Sequence, residues 1–325
     1  VVMAAFACLR IYTGSFYVLL AGQIGIACAQ PYIVNGISKL VADWFPPDQN
    51  AAANGLGTVG LFIGMALGMG LTPELVDSLT LTGAMVVFAL LSVVGALLFL
   101  LLGHEQNPSR QPDATIFGES RALLRDRNLL RLFVVAFLAL GYFNGLTTWL
   151  ELILAPRGIN SAQAGLGGAA LIVGGIVGAA VVPTLSDRFR RRKPFLMLCS
   201  TAALLLTYPL YYSTSPTLLY ALGAALGAAF LPGYALLLAM TEEEAGAARA
   251  GAATGVLMLT GNAGGVVVSI AMQVVKGDGP EWRRAVLLLL GMLIIALGLA
   301  SLVRETFGRR EPATPSGTAP GAGPI

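Results

Sequence analysis

The chain has 325 residues, 56% of them hydrophobic and only 11% charged, with a net charge of +3. Soluble domains carry roughly 25% charged residues, so this composition, with a mean hydropathy of +0.77, excludes an ordinary soluble domain. No basic, aromatic-interleaved surface is present, which excludes nucleic acid as a partner; the expected class is an all-α integral membrane protein.

Charge-free runs mark the spans, since a membrane-crossing helix needs about 20 apolar residues. Residues 1–9 read as the end of one span. Complete spans are expected over 11–38, 49–73, 78–103, 132–150, 158–186, 194–212, 216–241, 250–275 and 285–303, with Ser213-Thr214-Ser215-Pro216 turning the chain inside an over-long apolar run. The domain reading is a partial N-terminal bundle (1–103), a Pro-containing linker (104–128), a C-terminal six-helix bundle (129–303) and a Pro/Gly/Thr-rich tail (304–325) expected to be disordered.

In the first complete span, Gln23 and Gln30 lie seven residues apart on one helical face, and Pro31 frees a backbone carbonyl beside Gln30. Polar groups beside loosened backbone at mid-membrane mark binding sites, which makes Gln30 a candidate substrate contact; hydrogen bonding between helices is the alternative. Lys39 pairs with Asp43 at i+4 or snorkels. Gly55-Leu56-Gly57-Thr58-Val59-Gly60 has dinucleotide-fingerprint spacing but lacks the preceding strand. Gly57, Gly60, Gly64 and Gly68 instead read as a face for close helix packing.

After the linker, Asn144, Thr148 and Glu151 follow i, i+4, i+7 spacing and share one face. Glu151 is the acidic residue well inside an apolar span, where an unpaired carboxylate is costly. It is a candidate for substrate contact and proton coupling; the alternative is a carboxylate wetted by the 155–160 turn beside Pro156. Tyr234 follows Pro232, and Asn262 lies within Gly261-Asn262-Ala263-Gly264-Gly265; both are further candidate substrate contacts, with helix-to-helix bonding the alternative for Asn262.

Asp187-Arg188-Phe189-Arg190-Arg191-Arg192-Lys193 sits on a tight connection between two spans, a cytoplasmic address under the positive-inside rule. Alternating sides from there puts 15 lysines and arginines on the cytoplasmic side and 5 opposite. The linker, the 186–193 loop and the C-terminus are therefore expected in the cytoplasm of a multi-pass cell (inner or plasma) membrane protein. A repeat at an offset of about 200 aligns Ala52-Ala53-Asn54-Gly55 with Ala252-Ala253-Thr254-Gly255, and Gly64 with Gly264. Such internal repeats are a transporter signature. Cys8, Cys28 and Cys199 fall in apolar spans and are expected to be buried, inert thiols. No metal-ligand spacing, nucleophile pair or cofactor motif is evident, so neither an enzyme nor a bound cofactor is expected.

Leu185-Ser186-Asp187-Arg188 followed by Arg191-Arg192 resembles the loop signature of the major facilitator superfamily. Ala29-Gln30-Pro31-Tyr32-Ile33-Val34-Asn35, with Lys39 and Trp44-Phe45-Pro46, is similar to the fourth helix of the feline leukaemia virus receptor-like (haem/choline exporter) branch and its bacterial relatives. The segment from Asn144 to Glu151 is similar to the seventh helix of bacterial members. The resemblance implies a six-plus-six helix fold with helices 1, 2 and most of 3 missing, and helix 7 lining a central cavity. It also implies that Asp187, Arg188, Arg191 and Arg192 form a conformational latch against the start of helix 5, near Ala51–Gly55. The chain departs from the family at Ala21, where proton-coupled members carry Arg, and lacks the Gly-Pro pair of drug exporters within Gly60–Gly64. Leu61, Phe62 and Asn144 do not match the choline-type residues, so neither choline nor haem is carried over.

The expected function is secondary active or facilitative transport of a small organic solute by alternating access. Its expected partners are that solute, protons and the lipid bilayer, and the protein is read as a monomer. A non-transporting membrane receptor or sensor on a transporter fold is the alternative.

Overall fold

The computed structural model describes residues 1–44, 50–102, 123–246, 249–279 and 281–307. Every regular element among them is helical: α1 (Val2–Leu9), α2 (Phe16–Trp44), α3 (Asn50–Leu102), α4 (Arg127–Leu154), α5 (Ser161–Phe189), α6 (Lys193–Tyr211), α7 (Pro216–Ala245), α8 (Ala250–Lys276) and α9 (Arg283–Leu302), with a 3₁₀ turn at Ala155–Arg157. Among the described residues, seven helices are long and apolar enough to cross a membrane. A helix satisfies its own backbone, which lipid cannot do.

As one straight helix the 53 residues of α3 would run roughly 80 Å, far beyond the roughly 30 Å of a bilayer's hydrocarbon. The helix is in fact broken at Thr80, whose φ of 67° and ψ of 169° lie outside helical space. A threonine pays steric strain in that region, which is nearly exclusive to glycine. The break separates the two expected spans a few residues later than the sequence places it. Helix limits also echo the sequence repeat: α2 ends at Trp44 and α7 at Ala245, while α3 begins at Asn50 and α8 at Ala250.

Two compact units of contacts divide the chain. Unit 1 comprises Val1–Ala114, Leu150–Ile176 and Pro209–Ala228; unit 2 comprises Thr115–Trp149, Val177–Tyr208 and Ala229–Ile325. In unit 1, α5 and α7 approach backbone to backbone: a Cβ at Gly174 would fall on the Ala224 backbone, and one at Gly227 on the Leu171 carbonyl. In unit 2, α8 lies as close to α4, because a Cβ at Gly264 would meet the Phe137 carbonyl. Small residues permit such contact where apolar burial gives helices little reason to associate in lipid. The core of unit 2 gathers Leu129, Phe133, Leu196, Leu236, Met240, Leu257 and Val303.

The described residues bear on four sequence expectations. Among the described residues, no atom lies within 4 Å of a Cβ built at Gly60, Gly64 or Gly68, so the close glycine contacts belong to α5, α7 and α8 instead. Cys8 and Cys28 are exposed and only Cys199 is buried, as an apolar residue in a membrane span can face lipid as readily as protein. Residues 304–307 of the expected disordered tail are ordered, with Val303 and Thr306 buried. Leu123, expected in the linker, is fully buried within the unit 2 core. Residue 103, residues 104–122 of the linker, His104 among them, and 308–325 of the tail lie outside the described residues.

Candidate functional site

The polar residues within the spans are mostly satisfied one turn back along their own helix. Asn144 donates from Nδ2 to the Leu140 carbonyl at 2.9 Å, and Asn262 donates to the Met258 carbonyl at 2.8 Å. Thr147 and Thr260 donate to Phe143 and Val256 in the same way. Asn144 is half-buried and packs against α8 at Gly265, whereas Asn262 is exposed on α8. Tyr142 is buried and hydrogen-bonds Thr207 of α6, with its ring 4.9 Å from that of Phe230.

Near the C-terminal end of α4, Thr148 and Glu151 are exposed. Ser161, the first residue of α5, donates to Glu151 Oε1 at 2.5 Å. Trp149 donates from its indole to the Ser269 carbonyl at 2.9 Å and packs on Trp282, whose ring also faces the Lys276 ammonium. Arg157 stacks its guanidinium 3.7 Å above the Tyr211 ring and donates to the Ile153 carbonyl. Gln30, on α2, is exposed. Tyr234 is half-buried at the edge of the unit 2 core.

At the opposite end of α4, unit 2 holds a charge cluster. The chain leaves α5 through a turn closed by the amide of Arg191 on the Ser186 carbonyl, with Arg190 in the left-handed region at φ 53°. The turn delivers Arg192 into a nearly enclosed position, with its side chain 11% exposed. Its guanidinium meets Asp187 at 2.5 Å and Glu243, at the end of α7, at 3.1 Å. Glu243 in turn accepts from Thr306 Oγ1 at 2.7 Å. Glu305 accepts the amides of Arg192 at 2.8 Å and Lys193 at 3.2 Å, capping the start of α6 with a carboxylate. Phe307 lies 5.0 Å from the Arg192 guanidinium. Burial acts to lower the Arg192 pKa, but the hydrogen bonds and charges of Glu243 and Asp187 outweigh it and hold it above the ordinary arginine value.

Of the four latch residues expected from the sequence, Arg192 alone is enclosed; Asp187, Arg188 and Arg191 are exposed. Asp187 pairs with Arg192, while the side chains of 51–55, the other expected partner, lie outside the described residues. Glu243, Glu305 and Thr306 were missed. The signal for Glu243 was the Glu242-Glu243-Glu244 run, which alternation places on the same side as the arginine loop. Glu305 offered only an acid at the start of a segment read as disordered.

A family model described as Major Facilitator Superfamily matches residues 1–269 and, in a second overlapping match, residues 153–323. An uncharacterized protein of Archaeoglobus fulgidus is 30% identical over 221 residues, covering 68% of this chain and all (100%) of that protein. Solute carrier family 49 member A3 of Danio rerio is 31% identical over 57% of this chain and 41% of its own length. A choline/ethanolamine transporter of Danio rerio is 24% identical over 55% of this chain and 42% of its own. The chain thus spans about two fifths of the length of these solute-carrier relatives. Among solved structures, a bacterial homolog of the human lysosomal transporter Spinster matches with a TM-score of 0.68 at 16% identity, covering 93% of this chain and 80% of that one. The nucleoside transporter NupG matches at 0.67, with the same identity and coverage. At that identity the likeness is one of fold.

Proposed function

The chain belongs to the Major Facilitator Superfamily, and on that premise we propose that it transports a small organic solute across a membrane by alternating access, as a secondary active or facilitative carrier. Family and fold neighbours support transmembrane transport. The observation that carries the finer reading is the state of the in-span amides. Asn144 and Asn262 use their Nδ2 on their own helices, and among the described residues their side-chain Oδ1 atoms accept no bond. Such groups can bind a polar solute without first breaking a contact between helices. Gln30, Thr148 and Glu151 are exposed as well, Glu151 accepting a bond from Ser161 of α5. The relative named for choline/ethanolamine also favours a small organic solute.

In this reading two bundles, 1–103 and 129–303, rock about a midplane site, and the linker, the 186–193 loop and the C-terminus face the cytoplasm of a cell membrane. Asp187, Arg188, Arg191 and Arg192 serve as the latch, with Arg192 as its fixed point and Asp187 as the exposed group free to exchange partners. Glu151 is the proton-coupling carboxylate, with Ser161 holding it when that end of α4 is closed. The protein works as a monomer. Flux of a panel of labelled organic solutes into proteoliposomes tests the reading: saturable uptake supports it, and saturable binding without flux would indicate a receptor. Glu151→Gln is expected to abolish uptake driven by a pH gradient while sparing solute exchange. Wild-type uptake that ignores the gradient would remove the coupling role.

A further inference from the structure

Beside the charge cluster, unit 2 contains a cavity of about 320 Å³ lined by Asp126, Arg127, Asn128, Arg131, Glu244 and Arg304. That volume lies at the small end of the roughly 300–1,000 Å³ of ligand pockets. We infer that it is a binding site for a phosphate group, carried by a lipid headgroup or a soluble anion.

Three arginines line the cavity against two acidic residues. Asp126 Oδ1 caps α4, accepting the amides of Asn128 at 2.7 Å and Leu129 at 3.1 Å. Arg131 donates from Nη1 to the Leu302 carbonyl at 2.7 Å, which fixes its position and leaves the rest of its fork. Arg304 is held through its backbone, whose N–H donates to Asn128 Oδ1 at 2.9 Å, while its side chain stays exposed.

Asn128 supplies the second, independent observation. The residue is 4% exposed, and among the described residues its Nδ2 has no hydrogen-bond partner. A buried amide donor left unmade is expensive, and an anionic oxygen in the cavity is the kind of acceptor it lacks. The positive end of the α4 dipole adds to the same attraction. Arginine forks suit the oxygens of a phosphate. The cavity also lies at the ends of two membrane-length helices, α4 and α9, the depth at which lipid phosphates sit.

The test uses the purified 325-residue protein and native mass spectrometry, titrating phosphatidylglycerol, phosphatidylcholine and inorganic phosphate separately. One phosphatidylglycerol is expected to bind in preference to phosphatidylcholine, about tenfold more weakly in Arg127→Gln/Arg304→Gln. Arg283→Gln/Arg284→Gln removes the same charge at the far end of α9 and is expected to bind like the wild type. Inorganic phosphate binding with the same variant sensitivity would uphold the site and identify a soluble source; its failure beside lipid binding would identify the lipid. Should the first double variant not fold, Arg304→Gln alone, at an exposed side chain, is expected to weaken binding about fivefold. The inference is overturned if neither probe binds, or if the two double variants weaken binding equally.

Discussion

At the arginine-bearing end of unit 2, polar groups bond between segments far apart in sequence, whereas within the spans the amides of Asn144 and Asn262 and the hydroxyls of Thr147 and Thr260 bond to their own helix. Arg192 alone reaches Asp187, Glu243 and, through its amide, Glu305. Asn144 and Asn262 reach only the preceding turn. A network between segments resists displacement until several bonds break together, which suits a part that must hold one of two arrangements. A group satisfied within its helix stays put while its neighbours move and keeps a lone pair for a passing solute. The contrast separates the residues that set conformation from those that are candidates to meet substrate.

The largest effect is expected from removing the centre of the network. Arg192→Gln leaves Glu243, with its side chain 14% exposed, without its cation. It should cost about 2–4 kcal/mol of stability in detergent, measured by thermal unfolding; a loss comparable to that of an exposed arginine would dissolve the contrast. Because the Arg192 pKa is raised, its pairing is fully present below the ordinary arginine value and lost only above it, so this group adds no pH dependence near neutrality.

Helix packing comes next. Gly264→Ala drives a methyl into the Phe137 backbone and should destabilise by about 1–3 kcal/mol. Gly291→Ala, on a face with nothing within 4 Å, should be neutral or gain up to about 1 kcal/mol. Equal effects would show that the α4–α8 contact is loose. Glu305→Ala uncaps α6 and is expected to lose about 1–2 kcal/mol. The smallest effect on stability, under about 1 kcal/mol, belongs to Asp187→Asn, because Asp187 is 60% exposed. The same substitution is expected to cut transport strongly while expression stays intact. Wild-type flux in that variant would leave the loop as an orientation signal alone.

Helices were legible in the sequence because lipid forces long apolar runs, and the linked repeat of 52–55 and 252–255 anticipated where α3 and α8 begin. The break at Thr80 was less legible, since Ser78-Leu79-Thr80-Leu81 holds neither Gly nor Pro. Among the described residues nothing covers Gly60, Gly64 and Gly68: spacing shows which glycines share a face but not whether a partner helix covers it. Arg192 could be placed in a charged loop but not singled out from its neighbours, because its enclosure depends on Glu243 and Glu305, 51 and 113 residues away. Tyr234, a candidate substrate contact from its place after Pro232, is half-buried at the edge of the core.

Solute counterflow in proteoliposomes, run on wild type and Asp187→Asn side by side, bears most directly on the proposed mechanism. Saturable exchange of at least one small organic solute in the wild type, sharply reduced in Asp187→Asn at equal protein incorporation, is expected. Flux no faster than in protein-free vesicles across the whole solute panel would contradict it.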